Sequence, residues 1–174
     1  MTWKIFASTN LRRKMALVRL GVDELQTYIR AQNISAEIVR LDVPTPTVET
    51  AAQAVGTRVD QIIKSILFLA EDHSVLAIAC GLSNIQRRAI ADLYGIGKKR
   101  VKLATPEMVL EISGYEVGAM PPFGHRQPLN TIIDQRVLDF TETYAGGGAE
   151  NVLLHLDPHE ILRVTGARVL DLLE

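Results

Sequence analysis

The sequence predicts an α+β fold built on a mostly antiparallel or mixed sheet. Segments such as Ala36–Val43 place Val39, Leu41 and Val43 between polar neighbours, the period of two expected of a strand with one buried face. Two apolar runs, "IKSILFLA" and "SVLAIAC", are joined through "EDH" in the manner of a hairpin. Short helical segments are scattered among the strands without the regular βαβα alternation that would indicate a doubly wound parallel sheet.

The elements follow in order. Val22, Leu25 and Ile29 recur at helical spacing over 22–31, and turn residues around Asn33 end that helix before the strand at 36–43. Thr47 supplies an N-cap oxygen for "VETAAQAV", and Gly56 suits the left-handed position just past the helix end. After the hairpin, Ser83 or Asn84 opens a helix to Tyr94, and Thr105 with Pro106 opens another that ends at Gly114. Further strands are expected at "TIID", "TYA" and "VLLHL", with a closing helix from Pro158 to Val164.

With 174 residues, 47% of them hydrophobic, the chain has material for one domain with a substantial core. We expect residues 1–174 to form that domain, since no repeat, linker or low-complexity tract marks a boundary. Residues 1–14 are the least regular stretch and are expected to form a mobile arm. The net charge of −1 gives no bulk signal for nucleic acid, yet it is unevenly distributed. Residues 1–22 carry five basic side chains and no acid, whereas 134–174 carry eight acids against Arg136, Arg163 and Arg168. Cys80 is the only cysteine, which excludes an intrachain disulfide and suits a reducing compartment. No run reaches the roughly 18 apolar residues of a membrane span, so a cytoplasmic protein without a membrane partner is expected.

Lys64 lies within the apolar run, on a strand face shared with Ile66, Phe68 and Ala70. An ammonium there must find a partner or reach water, and a lysine snorkelling from a strand end satisfies the second condition. "GYEVGAMPPFG" concentrates three glycines and two prolines in residues 114–124. Such a loop is rigid and still offers backbone N–H groups from Gly118, Ala119, Met120, Phe123 and Gly124, although a plain connection has the same composition. Gly146, Gly147 and Gly148 form either a concave nest of N–H donors or a flexible hairpin turn. Arg87, Arg88, Lys98, Lys99, Arg100 and Lys102 face one acid, Asp92, and suit either a phosphate backbone or plain solvent. "HLDPHE" brings His155, Asp157 and His159 close in sequence, but Asp157–Pro158 has the form of a helix start. That separates the two histidines onto different elements, so we expect no metal site and no cofactor. His73 and His125 are isolated, and Cys80 reads as a core thiol.

The order of these segments is more specific than any one of them. "TVETAAQAVGTRVDQIIKSILF", "LATPEMVLEISGYEVGAMPPFG", "TIID" and a glycine-rich loop before "NVLLHLDPHEILRVTGA" together resemble the YbaK/ProX family. These are freestanding relatives of the editing domain inserted in bacterial prolyl-tRNA synthetase, and the resemblance covers roughly residues 20–174. It implies a barrel-like mixed sheet surrounded by short helices, and hydrolysis of the ester joining a wrong amino acid to the 3′ end of tRNA. Lys64, Gly118, Pro122 and Asp134 match the family's catalytic positions. Ala119, Met120 and Gly146–Gly148 fall where its substrate is held, and the cluster Arg87, Arg88, Lys98, Lys99, Arg100 and Lys102 would meet the RNA. Pro121 departs from the pattern, because many relatives carry Ser or Thr there, and it removes a hydroxyl and an N–H from the pocket.

An aminoacyl ester needs less activation than an amide, so positioned water and backbone donors suffice without a protein nucleophile. The resemblance further implies that the terminal ribose hydroxyl assists the water, while Lys64 anchors the terminal phosphate or polarises the ester. Two other readings stand beside this one: a non-catalytic binder of charged tRNA or of an aminoacyl-tRNA synthetase, and a hydrolase of small esters.

Overall fold

The computed structural model describes residues 18–174, and the expected arm at 1–14 lies outside them. It contains two sheets. In the first, β1 (Ala36–Arg40), β7 (Val152–Leu156) and β6 (Thr143–Ala149) run antiparallel in that order. The second has the order β4 (Val101–Leu103), β2 (Ile63–Ala70), β3 (His73–Cys80), β5 (Asn130–Asp134), β8 (Arg168–Leu170). Its β4–β2–β3 half is antiparallel and its β3–β5–β8 half parallel. The fold is thus α+β with a mixed sheet, as the sequence indicates. The two sheets meet through a bridge between Ile62 and Tyr144 and do not close, so the expected barrel is an open pair of sheets.

The main core lies between the sheets. It joins Ile63 and Leu67 of β2, Leu76 and Ile78 of β3, and Leu154 and Leu156 of β7 to Leu25 and Ile29 of α1 (Val22–Ala31). The opposite face of the five-stranded sheet, through Phe68, Val75 and Ile132, packs on Ile90 and Ala91 of α3 (Arg87–Tyr94). Leu153 and Ile62 pack on Ala51 and Ala52 of α2 (Val48–Val55).

Local chemistry accounts for the helices. Thr47 Oγ1 accepts the Thr50 N–H at 3.2 Å, and Gly56 takes the left-handed conformation that ends α2. Thr105 caps α4 (Pro106–Ser113) with Pro106 in its first turn, and α5 (His159–Thr165) closes at Gly166. The β2–β3 turn places Glu71 at positive φ.

Several boundaries differ from expectation. β1 stops at Arg40 because its partner runs out at Val152, and Val43 is left exposed. α3 begins at Arg87 rather than near Asn84, since Ile85 is engaged in a bridge with Leu173. The glycine triplet lies inside β6, not in a turn; the hairpin reverses at Glu150–Asn151 after a bulge between Gly146 and Ala149.

Candidate functional site

Lys64 is the second residue of β2, opposite Ala79 of β3. The stripe it shares with Ile66, Phe68 and Ala70 packs towards α3, leaving Lys64 half-buried at the stripe's end. Its ammonium donates to the carbonyl of Ser83, in the segment that leads into α3. The lysine therefore has a protein partner. Burial lowers its pKa from the ordinary lysine value, and the charge interaction with Cys80 opposes that shift. The Cys80 thiol is pushed up, chiefly by its own burial and then by the charge of Asp134.

Lys64 lines a cleft of about 220 Å³ together with Thr45, Ser65, Gly118, Met120 and Gly146. Five pieces of chain build it: the start of β2, the segment entering α2, the loop after α4, β6, and Leu153 of β7. Lys64 is the only charged side chain among the described residues of its lining.

The loop after α4 is fixed from both ends. Ser113 Oγ donates to Val109 O at 2.7 Å and accepts the Tyr115 N–H at 3.0 Å. The Arg126 N–H returns to Ser113 O at 2.8 Å, and its guanidinium reaches Glu111 O at 2.7 Å. Phe123 stacks on Tyr28 with ring centroids 5.8 Å apart. His125 Nε2 lies 2.8 Å from the Pro121 carbonyl, which can only accept, so this nitrogen carries the proton. Burial lowers the His125 pKa to about 4, against a smaller upward effect of that hydrogen bond. Ala119 N–H donates to Glu116 O at 3.1 Å, whereas the amides of Gly118 and Met120 meet no acceptor among the described residues. Gly118 holds φ +87°, a conformation that side chains other than glycine rarely adopt.

β6 presses directly on this loop. A Cβ on Gly146 would sit 2.5 Å from Met120 O, and Gly148 N–H donates to Ala119 O at 2.9 Å. The glycines thus serve close backbone approach, with Gly146 at the cleft and Gly147 against Val152.

Gly118, Met120 and Gly146 therefore converge with Lys64. Ala119 and Pro122 are buried behind the cleft wall, and Gly147 and Gly148 lie farther along β6. Asp134 does not join the cleft. It is fully buried on β5, with Oδ1 accepting the Arg136 N–H at 2.9 Å, Oδ2 accepting the Leu172 N–H at 2.7 Å, and the Arg136 guanidinium 3.1 Å away. In the basic cluster, Arg88 pairs with Asp92 at 2.8 Å and Arg100 with Glu71. Arg87, Lys98, Lys99 and Lys102 are exposed and make no ion pair among the described residues. His155 on β7 faces Glu142 and stacks on Tyr144, while His159 on α5 pairs with Asp157. Among the described residues no three metal-binding side chains gather, and no helix is long and apolar enough to cross a membrane.

Sequence reasoning missed Thr45 and the Ser83 carbonyl, and it noted Ser65 only as the neighbour of Lys64, without a role in the site. The hydroxyls of Thr45 and Ser65 are buried without a hydrogen-bond partner among the described residues, a state that costs about 1–3 kcal/mol each. Ser65 adjoins Lys64 in sequence, which was the available signal; Ser83 carried none, because its contribution is a main-chain atom.

Comparison with known proteins gives this geometry a context. A solved structure of a proposed trans-editing enzyme for prolyl-tRNA synthetase superposes with a TM-score of 0.82 at 34% identity, covering 88% of this chain and 96% of that one. The uncharacterized protein YwhH of Bacillus subtilis is 24% identical over 86% of this chain and 94% of its own length. The proline–tRNA ligase of Lactiplantibacillus plantarum is 25% identical over 66% of this chain, a match that spans only 20% of the ligase. Residues 42–164 match the aminoacyl-tRNA editing domain, and on that match the chain belongs to the aminoacyl-tRNA editing domain family.

Proposed function

We propose that the protein is a trans-editing hydrolase that removes a wrong amino acid from tRNA. One observation carries this reading: in a member of the editing-domain family, a half-buried lysine shares a small cleft with Gly118 and Met120, whose backbone amides meet no acceptor among the described residues. The ester carbonyl would lie against these amides, which meet the oxygen's developing charge as water adds to the carbonyl carbon. The tetrahedral intermediate then expels the ribose oxygen, which takes up a proton, and releases the free amino acid. The terminal ribose hydroxyl adjacent to the ester serves as the group that orients the water. Lys64, with one N–H donated to Ser83 and two remaining, anchors the terminal phosphate or polarises the ester.

The size of the cleft supports a small amino acid as the acyl group. The similarity to prolyl-tRNA synthetase editing supports tRNA for proline as the carrier. Exposed Arg87, Lys98, Lys99 and Lys102 would meet phosphates farther along the RNA. The decisive experiment measures release of labelled amino acid from a panel of mischarged tRNAs, including alanyl- and cysteinyl-tRNA for proline, at catalytic protein concentration. At least one member should be deacylated while correctly charged prolyl-tRNA is spared. If the protein binds the panel and every member decays at the buffer rate, it is a binder of charged tRNA and the hydrolase reading fails.

A further inference from the structure

A second concavity, about 1020 Å³ in volume, opens beside Lys64 between the turn at 57–60, the end of β3 and the turn at 136–140. Ser83 belongs to its lining and is also the residue whose carbonyl holds the Lys64 ammonium, so groove and cleft adjoin at that contact. Arg58 and Phe140 give the groove a stacking surface. Phe140 is half-buried against the core, and the exposed guanidinium of Arg58 lies 5.9 Å from its ring centroid. Asp60 gives it an acceptor: one carboxylate oxygen pairs with Arg58, while Oδ1 is buried and has no hydrogen-bond partner among the described residues. That unpartnered oxygen belongs to a residue that lines the groove. Both cations of the groove are already engaged, Arg58 on Asp60 and Arg136 on Asp134 and Asp171, while Asp139 adds a carboxylate that makes no ion pair among the described residues. A planar, neutral group suits it better than a run of phosphates.

Resting on the hydrolase reading, we propose that this groove seats the unpaired nucleotides next to the acylated end of the tRNA. A base stacks on the Arg58–Phe140 pair and donates its exocyclic amino group to Asp60. Aromatic and guanidinium faces accept any base, whereas a carboxylate oxygen selects bases that carry an amino group, as cytosine and adenine do and uracil does not. The groove would hold the strand while the cleft holds the amino acid.

Binding of short single-stranded RNAs ending in CCA or in UUU tests this directly, by fluorescence anisotropy on the whole chain. The wild type should prefer the CCA end. Phe140→Ala, and the milder Phe140→Leu should the first fail to fold, should weaken both RNAs by about tenfold, the loss expected for one stacked base. Asp60→Ala should abolish the preference for CCA. In deacylation assays the Phe140 variants should raise KM with kcat at saturation retained. If folded Phe140→Leu and Arg58→Ala match the wild type within about twofold in RNA affinity and KM, the groove assignment is overturned even where the wild type deacylates tRNA. If the wild type deacylates nothing yet loses its CCA preference in Asp60→Ala, the groove stands and the hydrolase reading falls.

Discussion

Lys64 and Asp134 stand in the same five-stranded sheet, on strands that flank β3, and the sequence marks both as site residues. Their surroundings separate them. Lys64 is half-buried, borders a cleft and, among the described residues, is held by a single carbonyl. Asp134 is wholly buried, with Oδ2 accepting the Leu172 N–H, which ties the sheet to the chain's last residues, and Oδ1 accepting the amide of nearby Arg136. A charge with open donors beside a cavity can act on a ligand, whereas a charge whose sites are all filled holds the fold.

Removing Asp134 tests that contrast most severely. Asp134→Ala leaves the Leu172 and Arg136 amides without acceptors, which should lower unfolding free energy by ~2–4 kcal/mol. Denaturant titration measures this, and the folded fraction should keep its deacylation rate within about threefold. Unchanged stability with lost activity would return Asp134 to the chemistry.

Lys64→Ala should do the reverse. We expect kcat/KM to fall by about 10²-fold or more, comparable to losing one placed electrostatic donor. The melting temperature should move little, because only one exposed carbonyl, that of Ser83, is left behind. Lys64→Arg should also fail, since a planar fork cannot replace a compact ammonium in a small cleft. A large fall in melting temperature, or full activity in Lys64→Ala, would erase the distinction between the two residues.

A smaller effect concerns the wall shared with the cleft. His125 titrates near 4 in the folded chain and near its ordinary 6.5 when unfolded, so between these values the unfolded chain binds more protons. Stability should therefore be fully present above pH 6.5 and fall as pH drops towards 4, by on the order of 3 kcal/mol. His125→Gln, which keeps a donor for Pro121, should flatten that part of the stability–pH profile. A profile unchanged by the substitution would show that His125 does not carry the dependence.

Elements with their own local signals were legible from the sequence. The Thr47 cap and Gly56 delimit α2, and two apolar runs around Glu71–Asp72 form the β2–β3 hairpin. β4 and β8 span three residues each, too short for a period of two to show, and they exist because an edge of β2 and of β5 was free to pair. In the site, Lys64 was legible as a cation in an apolar run and Gly118 as part of a constrained loop. Thr45 and Ser83 were not, since nothing local distinguishes a hydroxyl or carbonyl that will face a cleft.

By itself, the sequence determined the α+β class, the caps, the hairpin and the position of a lysine that needed a partner, because each follows from side-chain periodicity or backbone preference within a few residues. Only the tertiary structure decided that the partner is the Ser83 carbonyl, that Gly146 lies against Met120, and that Asp134 secures the C-terminal residues. Those facts depend on segments separated by 19 to 38 residues in the chain, whose approach is set by burial of the shared core rather than by any local signal.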